Sequence, residues 1–149
     1  MVSTYSLVYS SAIQDKFFGG VLAANGDIHF VPFSANVGQK ISSAGVVSTY
    51  SLVYTTSNAY IGGVLAPNGD IHFINYAATV GQKVNSSGVV STYSLVKTAA
   101  TAFSGGVLAP NGEIHFMARY TATGMVGQKI STNVQQKVGY ALSPFFNKF

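Results

Sequence analysis

The chain has 149 residues, enough for one domain with a substantial core, yet only 8% are charged against about 25% in ordinary soluble proteins. The 48% apolar fraction is ordinary, so Ser, Thr, Asn, Gln and Gly stand where charges would, which suits strands and turns and argues against a disordered polyelectrolyte. A net charge of +4 without a dense basic stripe speaks against nucleic acid, and the absence of cysteine excludes disulfides and thiolate metal sites.

Mean hydropathy is positive, at +0.32, but no run approaches the ~18 apolar residues of a spanning helix. No membrane association is expected. Residues 1–18 lack the basic-then-apolar order of a secretory signal, and they match later segments of the chain. Localisation is not legible beyond that.

Taken in chain order, Val2–Tyr9 is the first strand-like segment. It is echoed at Val47–Tyr54 and Val90–Lys97, all built on Val-Ser-Thr-Tyr-Ser-Leu-Val. In the middle copy Ser48, Tyr50, Leu52 and Tyr54 face one way, a period of two rich in β-branched and aromatic residues. A second segment follows at Gly19–Ala23, Gly62–Ala66 and Gly105–Ala109. The third is Asp27–Phe33, Asp70–Tyr76 and Glu113–Tyr120. Between second and third lie Asn25-Gly26, Asn68-Gly69 and Asn111-Gly112, a strong signal for a tight hairpin. The fourth, carrying Val-Gly-Gln-Lys, is Val37–Ile41, Val80–Val84 and Val126–Ile130. The phrase Gly-Gly-Val-Leu-Ala thus returns every 43 residues, at Gly19, Gly62 and Gly105. Extra residues fall in connections, around Ile13–Lys16 and Ala122–Met125, as stacked repeats tolerate. Residues 1–130 are therefore three tandem β repeats. Residues 131–149 have no counterpart in them and read as a cap or an attachment tail.

Four strands in about 43 residues suit a β-propeller blade or a lobe of a β-trefoil. Three units favour the trefoil by count. The small-residue Gly-Gly-Val-Leu-Ala strand suits the crowded centre of a propeller, with the Tyr- and Val-rich strand at its rim. Gly62-Gly-Val-Leu-Ala-Pro-Asn-Gly-Asp-Ile-His-Phe73 resembles the Gly-Gly-Val-Leu-Ala-Pro-Asn-Gly-Lys-Ile-Tyr repeat of β-propeller arrays. The Val-Gly-Gln-Lys and Ser-Thr-Tyr-Ser-Leu-Val-Tyr phrases look like a variant from viral and environmental sequences. The likeness covers residues 2–130, and Leu142–Phe149 also looks like an ending of such proteins. The resemblance implies blades and a structural or binding role in a virion or extracellular setting, with no catalytic residues to carry over.

Three blades leave a ring open. The expected fold is all-β: three four-stranded blades, completed to six when two chains pair, with a β-trefoil monomer as the alternative. The blades are expected at residues 17–54, 60–97 and 103–130. Strand Val2–Tyr9 is expected to complete the third blade of a partner copy.

His29, His72 and His115 are the only histidines, one per unit, each two residues after Asp27, Asp70 or Glu113 on the same strand face. Imidazole and carboxylate are plausible metal ligands. The favoured reading is a repeated structural network instead, hydrogen-bonded to outer-strand Ser48, Thr49 or Ser51, with no metal and no cofactor. Lys40, Lys83 and Lys129 recur in equivalent positions and read as solubilising charges on strand edges.

Asp15 is the one acidic residue outside the repeated position, so no singular acid–base constellation is visible and no enzyme is expected. The leading expectation is a structural or recognition repeat protein with multivalent sites. The runner-up is lectin-like: Tyr54, Tyr60 and Tyr76 with Asn58 and Asn75 combine flat rings and amides of the kind that bind glycans. A fibrous matrix built on the Ser-Thr-Tyr-Ser-Leu-Val strands is a third possibility.

Overall fold

The computed structural model describes residues 1–9, 15–119 and 124–132. These fold into three separate antiparallel sheets with no helix. The first joins β1 (Phe17–Leu22), β2 (Ile28–Pro32), β3 (Val37–Ile41) and β4 (Val47–Ser51) in that order. The second joins β5 (Tyr60–Leu65), β6 (Ile71–Asn75), β7 (Val80–Val84) and β8 (Val90–Ser94). The third holds β9 (Phe103–Leu108), β10 (Glu113–Ala118) and β11 (Gln128–Ser131), with β11 at its edge. β1 packs against β5 and β5 against β9, so the Gly-Gly-Val-Leu strands converge at the centre and the Ser-Thr-Tyr-Ser strands lie outside. This is a propeller arrangement. A trefoil, in which all repeats share one barrel, is excluded by the three separate sheets.

Close convergence needs small residues. A Cβ on Gly63 would run into Val21 of the first blade, and one on Gly106 into Ile74 of the second. Backbone bonds also tie blade to blade: Ala59 N–H donates to Phe33 O at 2.7 Å and Thr101 N–H to Tyr76 O at 2.6 Å.

The apolar core lies between the blades. Ile71 and Phe73 join Val21, Val31 and Tyr60 between the first two blades, while Ile74 joins Val64, Phe103, Ile114 and Phe116 between the second and third. Alternation along β6 thus feeds both junctions, and every residue of that strand is buried.

Val2–Tyr9 pairs with no other strand among the described residues of one chain. The third blade has three strands among the described residues. One expectation needs correction. The Asn-Gly hairpins are longer than a two-residue turn: Gly26 N–H donates to Ala23 O and Ala23 N–H to Asp27 O, and only the glycine takes positive φ, at 87°. That is a type I turn closed by a glycine bulge. The same geometry recurs at Ser42–Gly45, between β3 and β4. Of the expected tail at residues 131–149, Ser131 ends β11, and residues 133–149 lie outside the described residues.

Candidate functional site

Each complete blade carries one polar cluster built across three strands. On β2, His29 stands opposite Lys40 of β3, and Lys40 Nζ reaches Asp27 Oδ2 at 2.7 Å. His29 Nδ1 lies 3.2 Å from the hydroxyl of Tyr50, on β4. The second blade repeats the set: Lys83 to Asp70 at 2.6 Å, and His72 Nδ1 to Tyr93 hydroxyl at 3.2 Å. The Asx geometry of the preceding turn holds each carboxylate in place, with Asn25 Oδ1 accepting from Asp27 N–H and Asn68 Oδ1 from Asp70 N–H.

The network expected from Asp27, His29, Asp70 and His72 therefore exists, but its partners differ from those expected. A tyrosine hydroxyl and a lysine ammonium serve where Ser48, Thr49 or Ser51 were anticipated. The reason is the outer strand's alternation, which sends Tyr50 back over β3. Its ring occupies the space beside Gly38, as the Tyr93 ring does beside Gly81. In the third blade the cluster is open. Lys129 bonds Glu113 at 2.8 Å and His115 Nε2 lies 3.5 Å from Glu113, but no tyrosine covers Gly127 among the described residues.

Electrostatics follow the geometry. The hydrogen bond from Lys40 holds the Asp27 carboxyl below its ordinary range, and Lys129 does the same for Glu113. Burial, then the lysine charge, lowers His29 and takes His72 down to about 4. Burial likewise raises the phenols of Tyr50 and Tyr93. Both imidazoles are thus neutral at pH 7. Since an unfolded histidine protonates near 6.5, the unfolded chain binds more protons between pH 6.5 and 4, and stability falls as pH drops through that window. The expected loss attributable to His72 is about 2–3 kcal/mol, complete below pH ~4. Urea unfolding of wild type and His72→Gln at several pH values measures it; equal pH slopes in the two proteins would refute the assignment.

The first cluster lines a cavity of about 410 Å³ between blades. Asn25, Asp27, His29 and Lys40 form its wall on the first blade, and Ile71 with the Asn85–Gly88 turn forms the wall on the second. His72 shares a strand face with Ile74, which packs on Ile114, so the second cluster faces the third blade in the same way. Among the described residues no group of three or more His, Cys, Asp or Glu could hold a metal ion, and no helix is long and apolar enough to cross a membrane.

The expected tyrosine–asparagine surface is not assembled. Tyr60 and Asn75 are fully buried, Tyr60 donating to Val80 O and Asn75 Nδ2 to Ala78 O. Tyr54 is half-buried against the inter-blade core and its hydroxyl lies 3.2 Å from Thr79. Asn58 is exposed and bonds Ser34, while Tyr76 stacks beside Phe33 and accepts from Arg119. These side chains are the mortar of the second blade. The cavity, which the sequence reading missed, draws its walls from two successive repeats; its one sequence signal is the invariance of Asp/Glu-Ile-His and Gly-Gln-Lys across units.

No protein-family model and no curated protein matches the chain. Solved structures of similar fold do. A catalytically inactive H270A virginiamycin B lyase from Staphylococcus aureus, with quinupristin, aligns over 85% of this chain and 45% of its own at 20% identity, TM-score 0.60. A selenomethionine-substituted virginiamycin B lyase from the same organism aligns over 85% and 45% at 19% identity, TM-score 0.61. A streptogramin B lyase aligns over 78% and 40% at 24% identity, TM-score 0.57. The chain therefore spans less than half the length of these lyases, and the likeness establishes the fold alone. It also corrects one expectation. The lack of a singular acid–base constellation in the sequence points away from an enzyme, yet these structures of similar fold are enzymes, so that expectation is not upheld.

Proposed function

We propose that the protein is a recognition scaffold whose inter-blade clefts each hold a small, polyhydroxylated ligand of the sugar type. The observation that supports this is the cavity between the first two blades, where a carboxylate, an ammonium, an imidazole and two amides converge above the apolar floor of Ile71. Such a lining offers donors and acceptors of both charges within one sugar's width, beside apolar surface for the ring face of a sugar. Lys40 and Asp27 neutralise each other, so a neutral ligand suffers no net charge penalty. Repetition of the cluster in both complete blades makes the scaffold multivalent, and weak sites gain through effective concentration. A virion or extracellular surface, the setting that the repeat resemblance implies, suits that use.

Backbone NMR titration with a panel of mono- and disaccharides tests the reading. Shifts should concentrate at Asn25, Asp27, His29 and Asn85–Gly88, and Asp27→Asn should weaken binding about tenfold, the loss of one charge-assisted hydrogen bond. Silence of those resonances across the panel would refute it.

A further inference from the structure

We propose that a second copy of this chain closes the propeller, docking the Val2–Tyr9 segment of each copy against β11 of the other. The inference stands apart from ligand recognition and rests on two half-interfaces that the fold leaves open.

The blade junctions define what a complete interface looks like. At each, the leading blade presents a valine of its inner strand and a β-branched residue of its second strand: Val21 and Val31, then Val64 and Ile74, none more than 8% exposed. The third blade presents the equivalent Val107 and Met117, 51% and 42% exposed. The following blade answers with an isoleucine, 2% exposed at Ile71 and 0% at Ile114; its equivalent on the first blade, Ile28, is 39% exposed. The free flank of the third blade is therefore the first half of a repeated interface, and the free flank of the first blade is the second half. Each fits the other, and neither fits itself. That is a heterologous contact, which two copies satisfy by closing a ring.

The outer strand makes the same statement independently. At the second blade Gln82 Oε1 accepts from Val53 and Tyr54 N–H, at the end of the preceding blade's outer strand; at the third blade Gln128 Oε1 accepts from Val96 and Lys97 N–H. At the first blade, Gln39 Oε1 accepts from Tyr9 N–H at 2.9 Å. Tyr9 also meets the edge of Phe17 at 6.1 Å. Val2–Tyr9 is thus anchored where the outer strand of a blade preceding the first would end. Held there, it is separated from β11 of its own chain by the whole second blade, so it completes the blade of another copy.

The side chains agree. Tyr5 occupies the motif position of Tyr50 and Tyr93 and is 62% exposed. On the third blade Gly127, equivalent to Gly38 and Gly81, has nothing within 4 Å among the described residues, and among them no hydroxyl meets His115 as Tyr50 meets His29 and Tyr93 meets His72. Tyr5 of a second copy fills both vacancies at once.

The register is fixed by Val37 facing Ser51 and Val80 facing Ser94, which sets Val126 opposite Ser6 of the other copy. Opposed strand positions have Cα atoms about 4.5–5.5 Å apart, within disulfide reach. The natural chain has no cysteine, so the double variant Ser6→Cys, Val126→Cys gives a clean readout. Oxidation should convert most of the protein to reducible two-chain species, and a mixture of the two single variants should form one mixed disulfide. A disulfide within one chain, or none because residues 133–149 occupy the β11 edge, would overturn the proposal. Met117→Lys, on an exposed position that leaves single-chain folding intact, should yield monomers; a persistent two-chain assembly would overturn it too.

Discussion

Phe73→Ala should cost about 3–5 kcal/mol of folding free energy, the scale of a wholly buried aromatic ring. Phe73 lies at the centre of β6, wholly buried, with Tyr60 beside it at 5.8 Å and Val21 and Val31 facing it from the first blade. Both walls of the resulting cavity are hydrogen-bonded sheets, which cannot collapse as loosely held side chains can. Against a total stability of about 5–15 kcal/mol, the loss would move the urea midpoint far while leaving the m-value unchanged. Phe30, the equivalent on the free flank of the first blade, is only half-buried, so Phe30→Ala should cost less in a single chain. A loss below about 1 kcal/mol for Phe73→Ala would contradict the packing of the first two blades.

Gly81→Ala should cost about 2–4 kcal/mol, although it adds one methyl group to a strand that alanine tolerates. The new carbon would occupy the space of the Tyr93 ring. The ring must then leave, and with it goes the hydroxyl beside His72. Over-packing supplies about 1–3 kcal/mol of the cost and the broken hydrogen bond about 1. Tyr93→Phe removes only the hydroxyl and should cost about 1 kcal/mol, which separates the two contributions. Gly127→Ala is the informative comparison. No described residue of one chain lies within 4 Å of a Cβ there, so folding of that chain should hardly change, whereas docking of a second copy's Tyr5 should be blocked. Equal effects of Gly81→Ala and Gly127→Ala on single-chain stability would contradict the role given to the tyrosines.

The strands were legible because the repeat displays each one three times with the same alternation, and glycine-closed turns mark where they end. The order of strands from centre to rim was legible from side-chain size: only Gly-Gly-Val-Leu is small enough for Gly63 to pass against Val21. Burial was not. Ile28, Ile71 and Ile114 stand in equivalent places, yet their exposures differ because neighbours, not motif, decide who is covered. The same physics removed Tyr60 and Asn75 from the candidate surface, since a blade flanked on both sides buries residues that look like ligand contacts. The Asp–Lys–His–Tyr cluster was half legible. The shared face of Asp27 and His29 follows from a period of two, but the tyrosine reaches it from β4 across the intervening β3, a distance that no local pattern encodes. The inter-blade cavity was invisible for the same reason, being formed by residues on different repeats.

In the proposed assembly the two free flanks are matching half-interfaces, closed by a second copy of the chain. Multi-angle light scattering on the purified chain at micromolar concentration measures this directly. Closure by two copies requires a mass twice the 15.6 kDa of one chain, falling to that of a single chain in Met117→Lys. A folded wild-type species of 15.6 kDa at every concentration would contradict it.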